Sequence, residues 1–213
     1  MRLPHGEDPR DVVARGYDRM GATYASWAQE SHDPAREEHT ALLLDALPPG
    51  SPVLDLGCGA GLPTTRTLAE HLDVLGVDIS FEQLVRARRN VPRAAFVQAD
   101  MAELNLAPGS VAAVAAFYSI IHVPREEQAA LLGRIRCWLK PDGLLVVTLG
   151  VGADPGTVDA FFDQPMYWSS YDAEAYLRTV AEAGLEVQSA VHRQVDEFGS
   201  PVTFLWMLAR APA

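Results

Sequence analysis

Glycines in the segment VLDLGCGAGLPTTRTLAE have the type and spacing of a loop that holds a nucleotide. Gly57, Gly59 and Gly61 interrupt this segment where an apolar strand passes into a helix. Glycine adopts positive φ readily and lets a ligand approach the backbone without a Cβ in the way. In an open parallel sheet, such a loop lies beyond the carboxyl end of its strand, where ligands bind. A purely structural turn has the same composition, so neighbouring residues must distinguish the two readings.

The loop departs from both common phosphate-binding motifs. A dinucleotide fingerprint is G-x-G-x-x-G, whereas this loop is G-x-G-x-G from Gly57 and has Leu62 at the sixth position. The segment GLPTT also lacks the lysine of a Walker loop. Asp55 comes two residues before the first glycine. A carboxylate there is unfavourable for a pyrophosphate and acceptable for a cationic ligand.

Two more acidic residues follow at the ends of later strands. Asp78 lies about 20 residues after Gly57, the spacing at which a carboxylate binds ribose hydroxyls, although it could also cap the helix that starts near Ser80. Asp100 is followed by Met101, and an acid beside an apolar side chain suits the amine and the ring of adenine. Together with the departures of the loop, these acids favour a cationic nucleoside without phosphates.

The elements that position these residues alternate along the chain. The pattern predicts helices over residues 11–30, 34–47, 63–71, 80–90, 125–138 and 172–183. It predicts strands over residues 53–56, 73–79, 94–100, 111–119, 144–150, 185–195 and 202–211. The first, fourth and fifth strands are almost entirely apolar, as in a parallel sheet covered on both faces. The fold class is therefore α/β, with a doubly wound sheet of seven strands.

The C-terminal part departs from this alternation. The segment GADPGTVDAFFDQPMYWSSYD reads as a long loop rich in aromatic residues. The connection DEFGSP between the last two strands is too short for a crossover helix, so these strands pair antiparallel as a hairpin. The pattern indicates one domain over residues 1–213, with N-terminal helices in 1–47, a ligand-binding core in 48–150 and a substrate-side segment in 151–213.

Length and charge narrow the class of protein. The chain has 213 residues, 48% of them apolar and 21% charged, which is typical of a soluble globular domain. Its formal net charge of −11 argues against binding nucleic acid, because nucleic-acid surfaces need clustered basic residues, and it also argues against anionic membranes. A small neutral or cationic molecule is the expected partner.

Cysteine usage and the chain start suggest a cytoplasmic protein. Cys58 and Cys137 have neither a metal-ligand spacing nor a disulfide framework, so we expect two free thiols in a reducing compartment and no bound metal. The start MRLPHGEDPR shows no signal peptide. The longest apolar run falls short of the ~18 residues of a membrane span.

The motifs together resemble those of a known family. VLDLGCGAG, GVDIS with Asp78, QADM and LKPDGLLVVTL are similar to the motif series of the class I S-adenosylmethionine-dependent methyltransferases. The resemblance covers the chain from about Tyr17 to the C-terminus. It implies a Rossmann-like, mostly parallel sheet with one reversed strand, an N-terminal helical lid, and S-adenosylmethionine as cofactor, with S-adenosylhomocysteine as product.

The resemblance also implies roles for individual residues. The glycine loop would pass under the methionine part of the cofactor, Asp78 would bind the ribose, and Asp100 with Met101 would hold the adenine. The cofactor-binding residues implied in this way are Tyr17, Tyr24, Asp55, Gly57, Cys58, Gly59, Gly61, Asp78, Ile79, Asp100, Met101, Tyr118 and Ser119. Tyr17 and Tyr24 are seven residues apart and share a helix face, so packing between helices is their alternative role.

The acceptor side is less clearly marked in the sequence. His122 in FYSIIHVPREEQ follows the fourth strand and is the candidate general base, although it could instead be a histidine bonded to the backbone where a helix starts. Large side chains in the variable segments suggest a hydrophobic or aromatic acceptor, although each of them singly could be core. The candidate pocket residues are Trp27, His39, Phe162, Met166, Tyr167 and Trp168.

The predicted reaction is transfer of a methyl group to a small secondary metabolite, most simply at oxygen. Nitrogen, sulfur or carbon acceptors remain open alternatives. So do a cyclase or isomerase that binds the cofactor without transferring methyl, and a nicotinamide oxidoreductase. We expect the protein to be a monomer or a homodimer.

Overall fold

A computed structural model describes residues 7–31, 33–197 and 200–213. Residues 1–6 lie outside the described residues. The prediction that the chain start is not a signal peptide falls partly on them. So do residues 198 and 199, which belong to the predicted connection of the C-terminal hairpin.

The described chain alternates helices and strands as the pattern predicts. The helices are α1 (Pro9–Glu30), α2 (Pro34–Ala46), α3 (Thr64–Ala69), α4 (Phe81–Asn90), α5 (Arg125–Trp138) and α6 (Ala173–Glu182), with a 3-10 turn at Ile120–His122. The strands are β1 (Pro52–Leu56), β2 (Asp73–Asp78), β3 (Ala95–Gln98), β4 (Val111–Ala116), β5 (Leu139–Gly150), β6 (Thr157–Phe161), β7 (Gln164–Trp168), β8 (Glu186–Glu197) and β9 (Ser200–Arg210).

Side-chain caps explain where several helices begin. Asp8, Asp33, Ser80 and Asp172 each accept a hydrogen bond from a backbone N–H in the first turn of α1, α2, α4 and α6. Such caps satisfy N–H groups that have no partner inside the helix. α1 is interrupted at Gly21, whose φ of 47° and ψ of −117° are not helical.

Seven strands form one sheet in the order β3-β2-β1-β4-β5-β9-β8. β1 to β5 are parallel, whereas β9 runs antiparallel to both β5 and β8. This arrangement confirms the predicted fold class. The strand order reverses between β1 and β4, so the loops after these two strands diverge and leave a crevice at the carboxyl edge of the sheet.

Helices cover both faces of the sheet. Leu54 and Leu56 of β1 pack into a core that includes α5 and α6, whereas Val53 packs into a core with α2, α3 and α4. Neighbouring residues of a strand point to opposite faces, so a strand covered on both sides is apolar at nearly every position. This packing explains the continuous apolar run of β1.

A third layer lies beside the carboxyl edge and consists of α1 and a small hairpin. Val12, Val13 and Met20 of α1 pack against Met166 and Tyr167 of β7. The approach is close, since a Cβ on Gly16 would lie 2.7 Å from the terminal carbon of Met166.

The β6–β7 hairpin corrects the expectation of a long loop after β5. Its turn residues, Phe162 and Asp163, both have positive φ, at 50° and 58°. This geometry is typical of a two-residue hairpin turn, for which Asn-Gly is the usual signal. Phe-Asp carries no such signal, and Pro165 inside β7 argues against a strand. Local sequence therefore hides this hairpin.

β5 also begins earlier than predicted. It starts at Leu139 and contains an irregularity, because its pairing with β4 shifts between Val111 and Ala113. The residues KPDG, which lie between the predicted helix 125–138 and the predicted strand 144–150, form this irregularity in β5.

Candidate functional site

A cleft lies at the carboxyl edge of the sheet beside the loop after β1. Most of the predicted cofactor residues line it, namely Tyr17, Tyr24, Gly57, Gly59, Asp78, Ile79, Asp100, Met101, Tyr118 and Ser119. The lining also includes Arg10, Val13, Ala99, Phe117, His122, Val123 and Pro124. We call this the glycine-loop cleft.

The three glycines of the loop have three different surroundings. A Cβ on Gly57 would lie 2.3 Å from the Cβ of Ser119, so the loop after β1 can lie against the end of β4 only without a side chain there. A Cβ on Gly59 would meet no atom within 4 Å. A Cβ on Gly61 would lie 3.0 Å from Val91 at the end of α4, and Gly61 does not line the cleft. Gly59 therefore leaves room for a ligand, whereas Gly61 permits helix packing.

Asp78 lies at the end of β2, buried under the loop. Its two oxygens accept hydrogen bonds from the backbone N–H groups of Gly59 at 2.8 Å and Ser80 at 2.9 Å. Burial raises the pKa of Asp78 to about 6, against the opposing effect of these bonds. The cap of α4 is the hydroxyl of Ser80, which accepts from Gln83 N. Asp78 is thus not required as that cap.

Asp100 is bound to the backbone and to the N-terminal helix. It accepts from Ala102 N at 2.8 Å and from Arg10 Nε at 2.5 Å. Arg10 also forms an ion pair with Glu127 of α5. The hydrogen bond to Asp100 raises the pKa of Arg10 above its ordinary value. Sequence reasoning missed Arg10, because no local pattern indicates a partner 90 positions away.

Asp55 and Cys58 do not line the cleft. They line a smaller adjoining recess, which shares Gly57 and Gly59 with the cleft and also includes Arg36 and Thr64. Asp55 accepts a hydrogen bond from the hydroxyl of Thr65 at 2.5 Å, and burial raises its pKa to about 6. Burial also raises the pKa of the Cys58 thiol. Arg36, which the sequence did not indicate, brings a cation to this recess.

Ser119 and Tyr118 follow the end of β4. The hydroxyl of Ser119 is buried and has no hydrogen-bond partner among the described residues. Tyr118 has a positive φ of 54°, and its hydroxyl donates to Asp33 at 2.7 Å. An unusual backbone conformation of this kind is held by its surroundings and often occurs at functional sites.

His122 lies in the 3-10 turn after β4 and is bonded at both ring nitrogens. Nδ1 lies 2.8 Å from the carbonyl of Tyr167, and Nε2 lies 2.8 Å from the hydroxyl of Tyr17. A carbonyl only accepts, so Nδ1 carries the proton and Nε2 accepts from Tyr17. Burial lowers the pKa of His122 to about 4. The imidazole is therefore neutral near pH 7, with the lone pair of Nε2 directed at Tyr17.

An aromatic cavity of about 460 Å³ adjoins the cleft. Its aromatic lining is Tyr17, Tyr24, Trp27, Tyr118, His122, Phe161 and Trp168. The remaining lining residues are Ala28, Ser31, Asp33, Pro34, Ala35, Arg36, Glu38, Ile121, Arg193, Gln194, Val195 and Asp196. The residues shared by cleft and cavity are Tyr17, Tyr24, Tyr118 and His122.

Among the candidate pocket residues, Trp27 and Trp168 line this cavity and the other four do not. His39 is 3% exposed and lies against Trp206 in the core, with a ring separation of 4.7 Å. Met166 is fully buried against α1.

Phe162 and Tyr167 also lie outside the lining. Phe162 packs on Trp27 at the turn of the β6–β7 hairpin. The phenol of Tyr167 lies against Gly156. Residues of a β-strand alternate between two faces. Because this segment was predicted to be a loop, the sequence did not indicate which residues of β7 face the cavity.

The fold and the site together define a class of protein. A family model described as a methyltransferase domain matches residues 53–143. The chain carries this domain in the fold of the class I S-adenosylmethionine-dependent methyltransferases, whose cofactor is S-adenosylmethionine. The resemblance of the sequence motifs to this family is confirmed.

Individual relatives are consistent with that class. A trans-aconitate 2-methyltransferase from Methylobacterium nodulans is 37% identical over 138 residues, which cover 62% of this chain and 50% of that protein. The chain spans about half the length of the curated relatives it matches.

Solved structures extend the likeness of the fold over nearly the whole chain. Magnesium protoporphyrin IX methyltransferase from Synechocystis PCC 6803, with bound S-adenosylmethionine, matches with a TM-score of 0.75 at 15% identity. The match covers 98% of this chain and 100% of that one. The cyclase SpnF matches with a TM-score of 0.74 at 19% identity, over 100% of this chain and 99% of that one.

No helix in 7–31, 33–197 or 200–213 is long and apolar enough to cross a bilayer. Within the same ranges, no group of three or more His, Cys, Asp or Glu side chains is placed to hold a metal ion.

Proposed function

We propose that this protein transfers a methyl group from S-adenosylmethionine to an oxygen atom of a small, flat, largely apolar metabolite. One observation carries the proposal. Tyr17, Tyr24, Tyr118 and His122 line both the glycine-loop cleft and the aromatic cavity. A group in the cleft and a molecule in the cavity would therefore meet beside Nε2 of His122.

The residues of the cleft fit the cofactor. Gly59 leaves space where a side chain would otherwise stand, and the buried hydroxyl of Ser119 has hydrogen-bonding capacity to offer. Asp78 would hold the ribose hydroxyls, and Asp100 with Met101 would hold the adenine. Arg36 and Asp55, which share the recess beside the loop, would hold the carboxylate and the ammonium of the methionine part by charge.

Bound S-adenosylmethionine supplies a methyl group activated by a sulfonium leaving group. The protein's task is then to position the acceptor and remove its proton. An acceptor hydroxyl beside Tyr17 gives its proton to the phenol oxygen while Tyr17 passes its own proton to Nε2 of His122. As the methyl group bonds to the hydroxyl oxygen, that oxygen acquires a third bond and a positive charge. Its proton then becomes strongly acidic, so a base whose pKa is near 4 suffices.

The aromatic cavity supports a flat apolar acceptor. Its inner wall is formed by aromatic rings, which bind flat apolar groups through large contact areas. Among the charged lining residues, Arg193 and Glu38 are exposed and lie 3.6 Å apart, whereas Asp33 and Arg36 are largely buried and pair with each other at 3.5 Å. A net charge of −11 also supports a small-molecule acceptor over a nucleic acid.

The N-terminal helix is proposed to be a lid. The glycine-loop cleft has a free volume of about 70 Å³, compared with about 460 Å³ in the aromatic cavity. α1 supplies Arg10, Val13, Tyr17 and Tyr24 to the lining of this narrower space, so its side chains would border a bound cofactor. Gly21, where α1 departs from helical geometry between Tyr17 and Tyr24, is the natural hinge.

The decisive experiment measures S-adenosylhomocysteine formation with a panel of phenols, carboxylic acids, amines and thiols, and identifies each methylated product by mass spectrometry. We expect turnover with hydroxyl acceptors. His122→Gln should lower turnover by roughly 10²- to 10⁴-fold and leave the affinity for S-adenosylhomocysteine nearly unchanged, as measured by calorimetry. Gln at position 128 is already part of the buried network near the turn, so a further amide is compatible with this environment.

Other outcomes would point elsewhere. Products methylated at nitrogen, sulfur or carbon would move the reaction to another acceptor atom. Cofactor binding without any methylated product would favour a cyclase or isomerase. Tight binding of NAD with no response to S-adenosylmethionine would overturn the proposal, and unchanged turnover in His122→Gln would remove this residue from it.

A further inference from the structure

The C-terminal hairpin projects beyond the sheet. β9 pairs with β5 only as far as Phe204, opposite Gly150, whereas its pairing with β8 continues to Ser200, opposite Glu197. The projecting part of β8 supplies residues 193–196 to the aromatic cavity. The projecting part of β9 supplies residues 201–204 to a second cavity.

This second cavity, which we call the outer chamber, has a volume of about 430 Å³. It is lined by Ile121, Gly150, Val151, Gly152, Asp154, Trp168, Ser169, Ser170, Pro201, Val202, Thr203 and Phe204. Ile121 and Trp168 line both the outer chamber and the aromatic cavity. The ring of Trp168 also lies 4.5 Å from that of His122. The two spaces are thus neighbours with a common wall next to the candidate base.

Most polar groups of the outer chamber are already bonded within the protein. The carboxylate of Asp154 accepts from Gly156 N at 2.8 Å and from the hydroxyl of Thr157 at 2.6 Å. Ser169 donates to the carbonyl of Val123, and Ser170 accepts from Asp154 N. No Lys, Arg or His is among its lining residues in the described chain. The chamber therefore suits an uncharged, apolar group.

We propose that the outer chamber is a subsite for an apolar tail of the same acceptor whose reacting hydroxyl lies beside His122. The proposal rests on the proposed function for the location of the reacting group. The common wall of Ile121 and Trp168 supports a single occupant, because a chain that passes over Trp168 moves from one space directly into the other. The acceptor is then a flat head group with an extended, uncharged, hydrocarbon-rich tail.

The test uses a series of 4-alkylphenols from ethyl to decyl as probes of the protein saturated with S-adenosylhomocysteine. Affinities are measured by calorimetry. Once the tail is long enough to pass Trp168, we expect affinity to rise about fourfold per added methylene, as for burial of a CH₂ group. With S-adenosylmethionine instead, the same series reports methyl transfer.

Gly152→Trp fills the outer chamber without disturbing the cavity beside His122. Gly152 has no positive φ, and the nearest atom to an added Cβ is 3.8 Å away, so the site has room for a side chain. This variant should bind 4-ethylphenol with the affinity of the parent. Its affinity should no longer rise as the alkyl tail becomes longer. Val202→Trp, on the projecting part of β9, should show the same loss of tail-length dependence. It provides a second result if Gly152→Trp fails to fold. Gly133→Trp, at an exposed position of α5 with open space around it, is the matched control.

The outcomes separate the two proposals. If affinity does not change with tail length, the subsite is overturned. It is also overturned if Gly152→Trp and Val202→Trp both show the same dependence of affinity on tail length as the parent. Absence of binding by every member of the series also overturns it. Tail-dependent binding without methyl transfer from any phenol would contradict the proposed reaction and leave the subsite standing.

Discussion

The glycine-loop cleft and the aromatic cavity share four residues, yet they are built in different ways. The cleft is formed mainly by strand ends of the parallel sheet, with backbone N–H groups and a buried carboxylate at its centre. The cavity is formed by side chains of α1, α2, the β6–β7 hairpin and the projecting part of β8. One site therefore belongs to the core of the fold, and the other to elements added around it.

Under the proposed function, this difference would let the fold keep its methyl donor and change its acceptor. A side chain at Gly57 in the cleft would strain the sheet edge, because its Cβ would lie 2.3 Å from that of Ser119. A substitution in the cavity alters one side chain of a peripheral hairpin or helix. The four predictions below test this division, beginning with the largest expected effect.

Gly59→Ala should separate binding from folding in the cleft. The added Cβ meets no protein atom, and the positive φ of 53° adds a strain of about 1–2 kcal/mol. The methyl group would occupy ligand space, so we expect the affinity for S-adenosylhomocysteine to fall by at least ~100-fold, equivalent to ~3 kcal/mol. Calorimetry gives the affinity, and thermal unfolding gives the strain.

Gly109→Ala is the matched control for that strain. Gly109 has a φ of 62° and open space around it, far from the cleft in sequence and absent from its lining. It should lose similar stability with no change in affinity. If Gly59→Ala and Gly109→Ala lose affinity equally, the loss comes from lower stability of the fold. The prediction that Gly59 leaves space for the ligand would then be wrong.

Cofactor affinity should fall in acid. The pKa of Asp78 is about 6 in the free protein, and only the carboxylate accepts hydrogen bonds from both ribose hydroxyls while bound to Gly59 and Ser80. Protonation of Asp78 competes with binding, so we expect affinity for S-adenosylhomocysteine to fall by at least about tenfold per pH unit below pH 6, and more steeply where Asp55 is protonated as well. His122, with a pKa of about 4, stays neutral over most of this range.

Asp78→Asn checks the assignment of that titration. The variant should bind more weakly at neutral pH and depend less on pH, with Asp55 responsible for the remaining slope. A variant with the full pH dependence of the parent would exclude Asp78 as the titrating group.

Trp27→Ala should act on the acceptor side alone. The ring of Trp27 lines the aromatic cavity and packs against Phe161 and Phe162 at 6.0 and 5.5 Å. Its removal should weaken binding of 4-ethylphenol by about tenfold, since a buried aromatic contact contributes on the order of 1 kcal/mol beyond its area. The affinity for S-adenosylhomocysteine should not change. Phe81→Ala, at an exposed aromatic residue outside the cavity lining, should change neither affinity.

Arg10→Gln should have the smallest effect, at the junction of lid and cleft. Arg10 pairs with Asp100 and Glu127 while its side chain is 28% exposed. Partly exposed ion pairs contribute up to ~1 kcal/mol, so release of S-adenosylhomocysteine should accelerate by no more than about fivefold in stopped-flow measurements. Arg15→Gln removes another α1 ion pair, that with Glu7, and should leave the release rate unchanged.

Much of the fold could be predicted because its signals are local. The apolar runs of β1, β4 and β5 reflect burial on both faces, and Asp8, Asp33, Ser80 and Asp172 mark helix starts through bonds within one turn. The β6–β7 hairpin was missed because its turn residues, Phe162 and Asp163, lack the Asn-Gly signal of a two-residue turn. Phe162 packs against Tyr24 and Trp27 of α1, which are distant in sequence.

The candidate site divides in the same way. Gly57, Gly59, Asp78 and Asp100 follow their strands directly, so sequence spacing alone predicts that they meet at one edge of the sheet. Arg10 and Arg36 come from helices far away in sequence, and their positions depend on how α1 and α2 pack. His39 was assigned to the pocket from its residue type, whereas it packs on Trp206 in the core.

The doubly wound sheet, the glycine loop, the acids at the strand ends and the resemblance to a methyltransferase family are all readable from the amino-acid sequence. These features depend on backbone geometry and on periodicity, which act over a few residues. The folded chain was needed to show which face of β7 meets α1, that Tyr17 reaches Nε2 of His122, and that Trp168 lies between two cavities. Those contacts join segments about 100 residues apart or come from a hairpin without a local signal, so they follow from packing of the whole chain.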